Sequence, residues 1–158
     1  MAAVLTDNQI QLLIAETKRL PDDYPQKVAL KPKRGHKERE LDLVGDGGSE
    51  FKLIFRESNF NKLDFSVVLA YRVPGSNQLI RLRRYNGKSH EHTNAIERQT
   101  FYDFHIHEAT FRYQEDSGLR EDGYAQPTDR YADFYGAVEC MLRDCGFVVT
   151  ENAQPGLF

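Results

Sequence analysis

The pattern that most constrains this chain is alternation broken by turns. Leu63, Phe65, Val67, Leu69, Tyr71 and Val73 alternate with Asp64, Ser66, Val68, Ala70 and Arg72, and Phe51, Leu53 and Phe55 alternate with Lys52, Ile54 and Arg56. A period of two is the repeat of a β-strand, whose successive side chains point to opposite faces. Pro74-Gly75-Ser76-Asn77 is a strong turn, and residues 78–85 read as the returning strand. An antiparallel meander is predicted.

Helical signals flank the strands. Thr6 and Gln9 make a capping box just before Ile10, Leu12, Leu13 and Ile14, which predicts a helix over 7–20, stopped by Pro21 and Pro25. Near the other end Thr128 is a natural N-cap. Tyr131, Phe134, Tyr135, Val138, Met141, Leu142 and Cys145 then recur at three and four, predicting a helix over 129–146 closed by Gly146. The expected fold is α+β: an antiparallel sheet of about five or six strands within 27–109, with an N-terminal and a C-terminal helix packed on it. All 158 residues are expected to form one domain, large enough to bury a core without disulfides or a structural metal.

The smaller pieces follow from local composition. Residues 28–30 and 40–44 read as short strands joined by a basic turn, a solvated hairpin tip that includes His36. Gly45 to Gly48 read as a turn, 114–126 as a mobile acidic loop, and 147–149 as a short edge strand.

Acids and bases nearly balance, at a net charge of -3, which excludes a general nucleic-acid coat protein and leaves any basic surface local. Cys140 and Cys145 are five apart in one predicted helix. That spacing suits neither a Cys-x-x-Cys site nor a disulfide within a helix, so both are expected as reduced thiols in or near the core. No stretch approaches a membrane span and no basic start precedes an apolar run, so a cytoplasmic protein without a membrane partner is expected.

Against this scaffold one stretch stands out. Residues 81–113 hold four of the five histidines, as the pairs His90/His92 and His105/His107. Period-two arithmetic on the returning strand puts Ile80 and Leu82 on one face and Arg81, Arg83 and Tyr85 on the other. On residues 100–107 it groups Tyr102, Phe104 and Ile106, and opposite them Phe101, Asp103, His105 and His107. With both apolar sets facing the core, two Arg and a Tyr share the open face with two His and an Asp. The polar loop 86–98, carrying Lys88, His90, His92 and Asn94, lies between the two strands, where working side chains tend to sit.

These residue types support cleavage of a phosphodiester without a metal. Imidazoles suit both proton transfers because their ordinary pKa is near 6.5, and cations stabilise the charged transition state. In that reading His105 or His107 is the base and His90 or His92 the acid, with Asp103 orienting an imidazole. Arg81, Arg83 and Lys88 hold the phosphate, and Tyr85 or Tyr113 positions it. Two alternatives stand beside it. One is a metal site in which His105 and His107, projecting the same way from a strand, join His92 around zinc or another divalent ion, with His90 or Asp103 as further donors. Neighbouring arginines argue against that one. The other is a non-catalytic module that binds nucleic acid or another phosphorylated ligand on the basic, aromatic face.

The order of these elements is a basic strand, His90-Glu91-His92-Thr93-Asn94, His105-Ile106-His107, then a Tyr-containing stretch before a final helix. It resembles a family of small bacterial proteins of unknown function that carry a Pro-His-x-Asn-Pro loop and a Pro-His-Leu-His strand followed by Tyr and Gly. The likeness covers about 51–145, with His92, Asn94, His105, His107 and Tyr113 at the matching positions. This chain lacks the prolines beside both His elements and has His90 in addition. The resemblance implies a shared site and no particular reaction. The first expectation is therefore a His-dependent, metal-independent ribonuclease or related phosphodiesterase, toxin-like or defence-associated, acting on RNA or another nucleic acid without a cofactor.

Overall fold

The computed structural model describes residues 2–21 and 30–148. In chain order these form α1 (Asp7–Ala15), β1 (Lys18–Arg19), β2 (Lys31–Pro32), β3 (His36–Val44), β4 (Glu50–Ser58), β5 (Phe65–Arg72) and β6 (Leu79–Asn86). Then come β7 (His92–Asn94), β8 (Gln99–Phe101), β9 (His105–Glu108), α2 (Phe111–Glu115), β10 (Tyr124–Pro127), α3 (Phe134–Asp144) and β11 (Phe147–Val148). The architecture is α+β, as expected. The predicted meander runs from β2 to β6, and β9 and β10 extend it to a seven-stranded antiparallel sheet ordered β10-β9-β6-β5-β4-β3-β2. Residues 28 and 29 of the first expected strand, and Val149 of the last, lie outside the described residues.

One sheet face carries the main core. Phe65, Val67 and Leu69 of β5, Tyr85 of β6 and Ile106 of β9 are buried there with Tyr131, Phe134, Val138 and Met141. The predicted C-terminal stripe is thus the buried one, except that Tyr135 is half exposed. The helix itself begins later than Thr128. Asp133 caps it by accepting from the Gly136 amide at 2.7 Å. The segment before it is held out of the helix because the Tyr131 hydroxyl donates to the carbonyls of Asn86 and His105 across β6 and β9. Cys140 and Cys145 are free and buried, and burial pushes the Cys145 thiol up to about 11.

The capping box at Thr6 and Gln9 forms as predicted, but α1 stops at Ala15 and not at Leu20. Residues after it turn into β1, which pairs in parallel with β11 just beyond α3. The C-terminal ends of α1 and α3 therefore meet. Gly146, at φ 74°, lies so close to α1 that a Cβ there would stand 2.7 Å from the Glu16 carbonyl. Two helix C-termini turn their negative ends and unpaired carbonyls toward each other, which is unfavourable without a cation between them. Lys18 supplies it. Fully buried, its Nζ lies 2.8–2.9 Å from the carbonyls of Leu13, Ile14, Glu16 and Cys145, and 4.5 Å from the centre of the Phe51 ring. Desolvation pushes the ammonium down to about 8, still protonated at neutral pH. No helix among the described residues is long and apolar enough to cross a membrane.

The junction at Lys18 makes a prediction. Lys18→Met keeps the volume but strips four carbonyls of their donor, and should cost about 2–4 kcal/mol. Urea unfolding at neutral pH measures this; an unchanged midpoint would mean the carbonyls find other partners.

Candidate metal centre

The face of the sheet opposite α3 is set by an irregularity in β6. Leu69 of β5 pairs with Arg83 and Ala70 with Arg81, so Leu82 is an extra residue, a β-bulge. Beyond it the alternation changes sides. Tyr85 falls opposite Val67 and Ile106 in the core, while Arg84 falls opposite Val68 and His107, and Asn86 opposite Ser66 and His105.

Two sequence expectations are thereby corrected. Tyr85 does not face the histidines. It is fully buried, its hydroxyl donates to Asp144 Oδ2 at 2.7 Å, and burial pushes its pKa up. Arg83 lies with it on the core side, 4.0 Å from Glu108, lining a separate cavity of about 620 Å³ with Asp103 and Arg130. The arginine on the histidine face is Arg84, which no parity argument selected. Arg81 keeps its expected face, paired with Ala70, and its backbone amide donates to Glu121. Lys88 sits 6.0 Å from the centre of the Tyr102 ring and is not part of the histidine pocket.

The histidines do converge. His105 and His107 project from β9, and the hairpin β7–β8 lays His92 over them. The His92 ring lies 5.3 Å from that of His105, nearly parallel, and 4.7 Å from that of His107; His90 reaches 5.7 Å from His105. One nitrogen each from His92, His105 and His107 lie within 4.8 Å of one another. Two nitrogens bound to one tetrahedral zinc are roughly 3.3 Å apart, so the rings need to close by up to about 1.5 Å around an ion.

Each of these three rings is held by its other nitrogen. His105 Nδ1 donates to the Asp103 carbonyl and His107 Nδ1 to the Asp122 carbonyl, both at 2.7 Å. A carbonyl only accepts, so both rings carry their proton on Nδ1 and present a bare Nε2. Asp103 thus orients an imidazole as expected, but through its backbone; its own side chain is exposed. His92 Nε2 lies 2.8 Å from Asn94 Oδ1. The Asn94 amide is itself fixed, accepting from the Ala125 amide at 2.9 Å and donating to the Ala125 carbonyl at 2.8 Å. Its oxygen therefore faces His92, whose Nε2 is the donor and whose Nδ1 is left bare. Three lone pairs remain, and His105 Nε2 is buried with no protein partner.

Burial also keeps the β9 pair neutral. Desolvation, opposed by the hydrogen bond to Asp103 and helped by the neighbouring His92, pushes His105 down to about 4. Desolvation and then the Arg84 charge push His107 down to about 2. The Arg84 charge is itself met: its Nε donates to Asp122 Oδ2 at 2.9 Å, on a carboxylate that is fully buried.

Beside His92 and His107 opens a cavity of about 310 Å³, lined also by Arg84, His90, Tyr113 and Arg120. Tyr113, on α2, is buried; its hydroxyl donates to Glu97 at 2.6 Å and accepts from the Ile96 amide, holding the β7–β8 turn. Sequence reasoning missed Arg84, Arg120 and Asp122. Nothing in the alternation reveals the bulge that exposes Arg84, and residues 114–126 read as a plain loop although β10 pairs there with β9. Comparison with protein-family models, with curated proteins and with solved structures finds no match.

The low affinity of these imidazoles for protons has a pH consequence. In the unfolded chain they protonate near 6.5, in the folded chain only near 4 and 2. Below 6.5 the unfolded state binds more protons, so their contribution to stability is complete above that pH and is lost as pH falls toward 4. With chelator present, urea midpoints followed from about pH 7.5 to 4.5 should fall below 6.5, and fall less in His107→Asn. Identical slopes for the two proteins would mean that His107 is already solvated.

Proposed function

We propose that His92, His105 and His107 bind one divalent metal ion of the zinc type, and that the protein is a metal-dependent hydrolase. The observation that carries this is that His92, His105 and His107 each bring a ring nitrogen within 4.8 Å of the other two, while one nitrogen of every ring is tied to a carbonyl or an amide. Metal-bound histidines show that outer hydrogen bond almost always, because it fixes the tautomer and the ring direction. A merely structural imidazole uses both nitrogens or shows one to water, whereas a buried unpaired acceptor costs about 1–3 kcal/mol.

The number of donors points to catalysis. Structural zinc sites close with four protein ligands, while catalytic ones keep three and leave a position for water or substrate. Here His92 and His107 line an open cavity, and His105 lies buried beside them. A bound ion lowers the pKa of its water to about 7 and so supplies a nucleophile at neutral pH. His90, exposed on the cavity wall, is placed to exchange protons with that position.

The objection raised by neighbouring arginines is weakened, since Arg83 is on the other side of the sheet and Arg84 is paired with Asp122. Metal-free acid–base cleavage, the first expectation from sequence, needs one imidazole to be protonated. Burial holds His105 and His107 neutral, so that route would have to find its acid in His90 or His92.

Elemental analysis and zinc titration of the chelator-treated protein test the proposal. One equivalent per chain is expected. His105→Ala and His107→Ala should abolish binding, His90→Ala should leave it intact, and Asn94→Ala should weaken it about 10–100-fold by releasing the His92 ring. A folded protein that takes up no zinc or cobalt, or binds equally well without His107, would overturn it.

A further inference from the structure

The charges around the cavity say what the ion's open position would take. Three neutral imidazoles leave the two positive charges of a divalent ion uncompensated. The cavity wall adds Arg84 and Arg120, and no Asp or Glu is among its lining residues. Asp122 already serves Arg84 from behind. Arg120 is exposed and makes no ion pair among the described residues. The larger cavity on the other side of the sheet is different, because there Arg83 and Arg130 share the wall with Asp103, Glu108 and Asp129. A wall that carries a divalent ion and the unpaired Arg120, with no carboxylate lining it, favours an anion.

We infer that the cavity binds the oxyanion group of a small molecule, a phosphate or a carboxylate, with one oxygen on the metal and others on Arg120 and Arg84. This rests on the metal reading and adds the substrate class to it. Arginine matches such groups because its planar fork donates two parallel hydrogen bonds to adjacent oxygens. Size argues for a small molecule: about 310 Å³ is at the lower end of ordinary ligand pockets. A polynucleotide needs a longer basic track with aromatic faces for successive bases, and Tyr113, the aromatic side chain in the wall, is buried with its hydroxyl spent on Glu97. Gly123 keeps the loop tight against that ring, since a Cβ there would come 2.9 Å from Tyr113.

Cobalt(II) in place of zinc makes both statements visible, since its visible absorption reports coordination. The cobalt protein should show an intense tetrahedral spectrum, and inorganic phosphate or acetate should shift it saturably. The anion that binds more tightly identifies which oxyanion the pocket prefers. Arg120→Ala, at an exposed position, should weaken that binding roughly ten- to a hundredfold, while Arg34→Ala, remote on the β2–β3 turn, should not. Absence of a cobalt spectrum overturns the metal reading and this inference with it. Normal cobalt binding with a spectrum indifferent to both anions, or with equal affinity in Arg120→Ala, overturns this inference alone. So does a cobalt protein that ignores phosphate but binds single-stranded RNA with steep salt dependence.

Discussion

The site depends on one extra residue in β6. With regular pairing, Arg83 and Tyr85 would face the histidines and Arg84 would be driven into the core beneath α3. The bulge at Leu82 lets Leu82 and Arg83 share the core side opposite Leu69, after which every position is reversed. Tyr85 then fills the space between Val67, Ile106 and Tyr131, where its ring is buried and its hydroxyl meets Asp144. Arg84 emerges beside His107 and meets Asp122. A β-bulge next to a working site is a common way to re-aim a side chain without disturbing the sheet.

From that sheet the site is assembled by three further elements, each holding one ring. The turn before β9 offers the Asp103 carbonyl to His105, and the loop before β10 offers the Asp122 carbonyl to His107. Asn94 grips the backbone of Ala125 and thereby moors the β7–β8 hairpin, with His92 on it, to the edge strand β10. The hairpin turn is held in turn by Tyr113 through Glu97 and Ile96, and Arg112 pairs with the same Glu97. Tyr113 is therefore a positioning residue: it acts on His92 through the turn and Asn94. Side chains fixed in this way would lose little freedom on binding an ion, and preorganisation of that kind favours affinity.

Much of this was legible in the chain. The meander, its turns, the capping box, the buried stripe of α3 and the shared face of His105 and His107 all follow from local periods and turn chemistry. The His90–Asn94 segment was identifiable as the roof because its residue types are unusual for a solvated loop. What stayed hidden depends on partners distant in sequence. A bulge leaves no mark on an alternation of Leu, Arg and Tyr, and four-residue β10 pairs through backbone atoms that any residues supply. Nothing in the local sequence singles out Lys18, because one of the carbonyls it bonds belongs to Cys145, 127 residues away. Asp103 was chosen for its carboxylate, while its carbonyl does the work.

The proposed metal reading rests on the energetics of the histidine cluster. The His105 and His107 imidazoles have been taken out of water, gathered with the half-buried His92, and set beside a guanidinium that opposes the protonation of the β9 pair. No hydrogen bond among them relieves this, because each has committed its only N–H outward, and His105 Nε2 and Asp122 Oδ1 are left buried without partners. Each such orphan costs about 1–3 kcal/mol, a large share of the 5–15 kcal/mol that holds a typical domain folded. A divalent ion would reverse the sign of the imidazole terms: lone pairs would become bonds, neutrality would be required, and the outward N–H bonds would raise ligand basicity. Buried polar atoms without partners call for a physical reason, and two of the four found among the described residues, His105 Nε2 and Asp122 Oδ1, lie at or beside the histidine cluster.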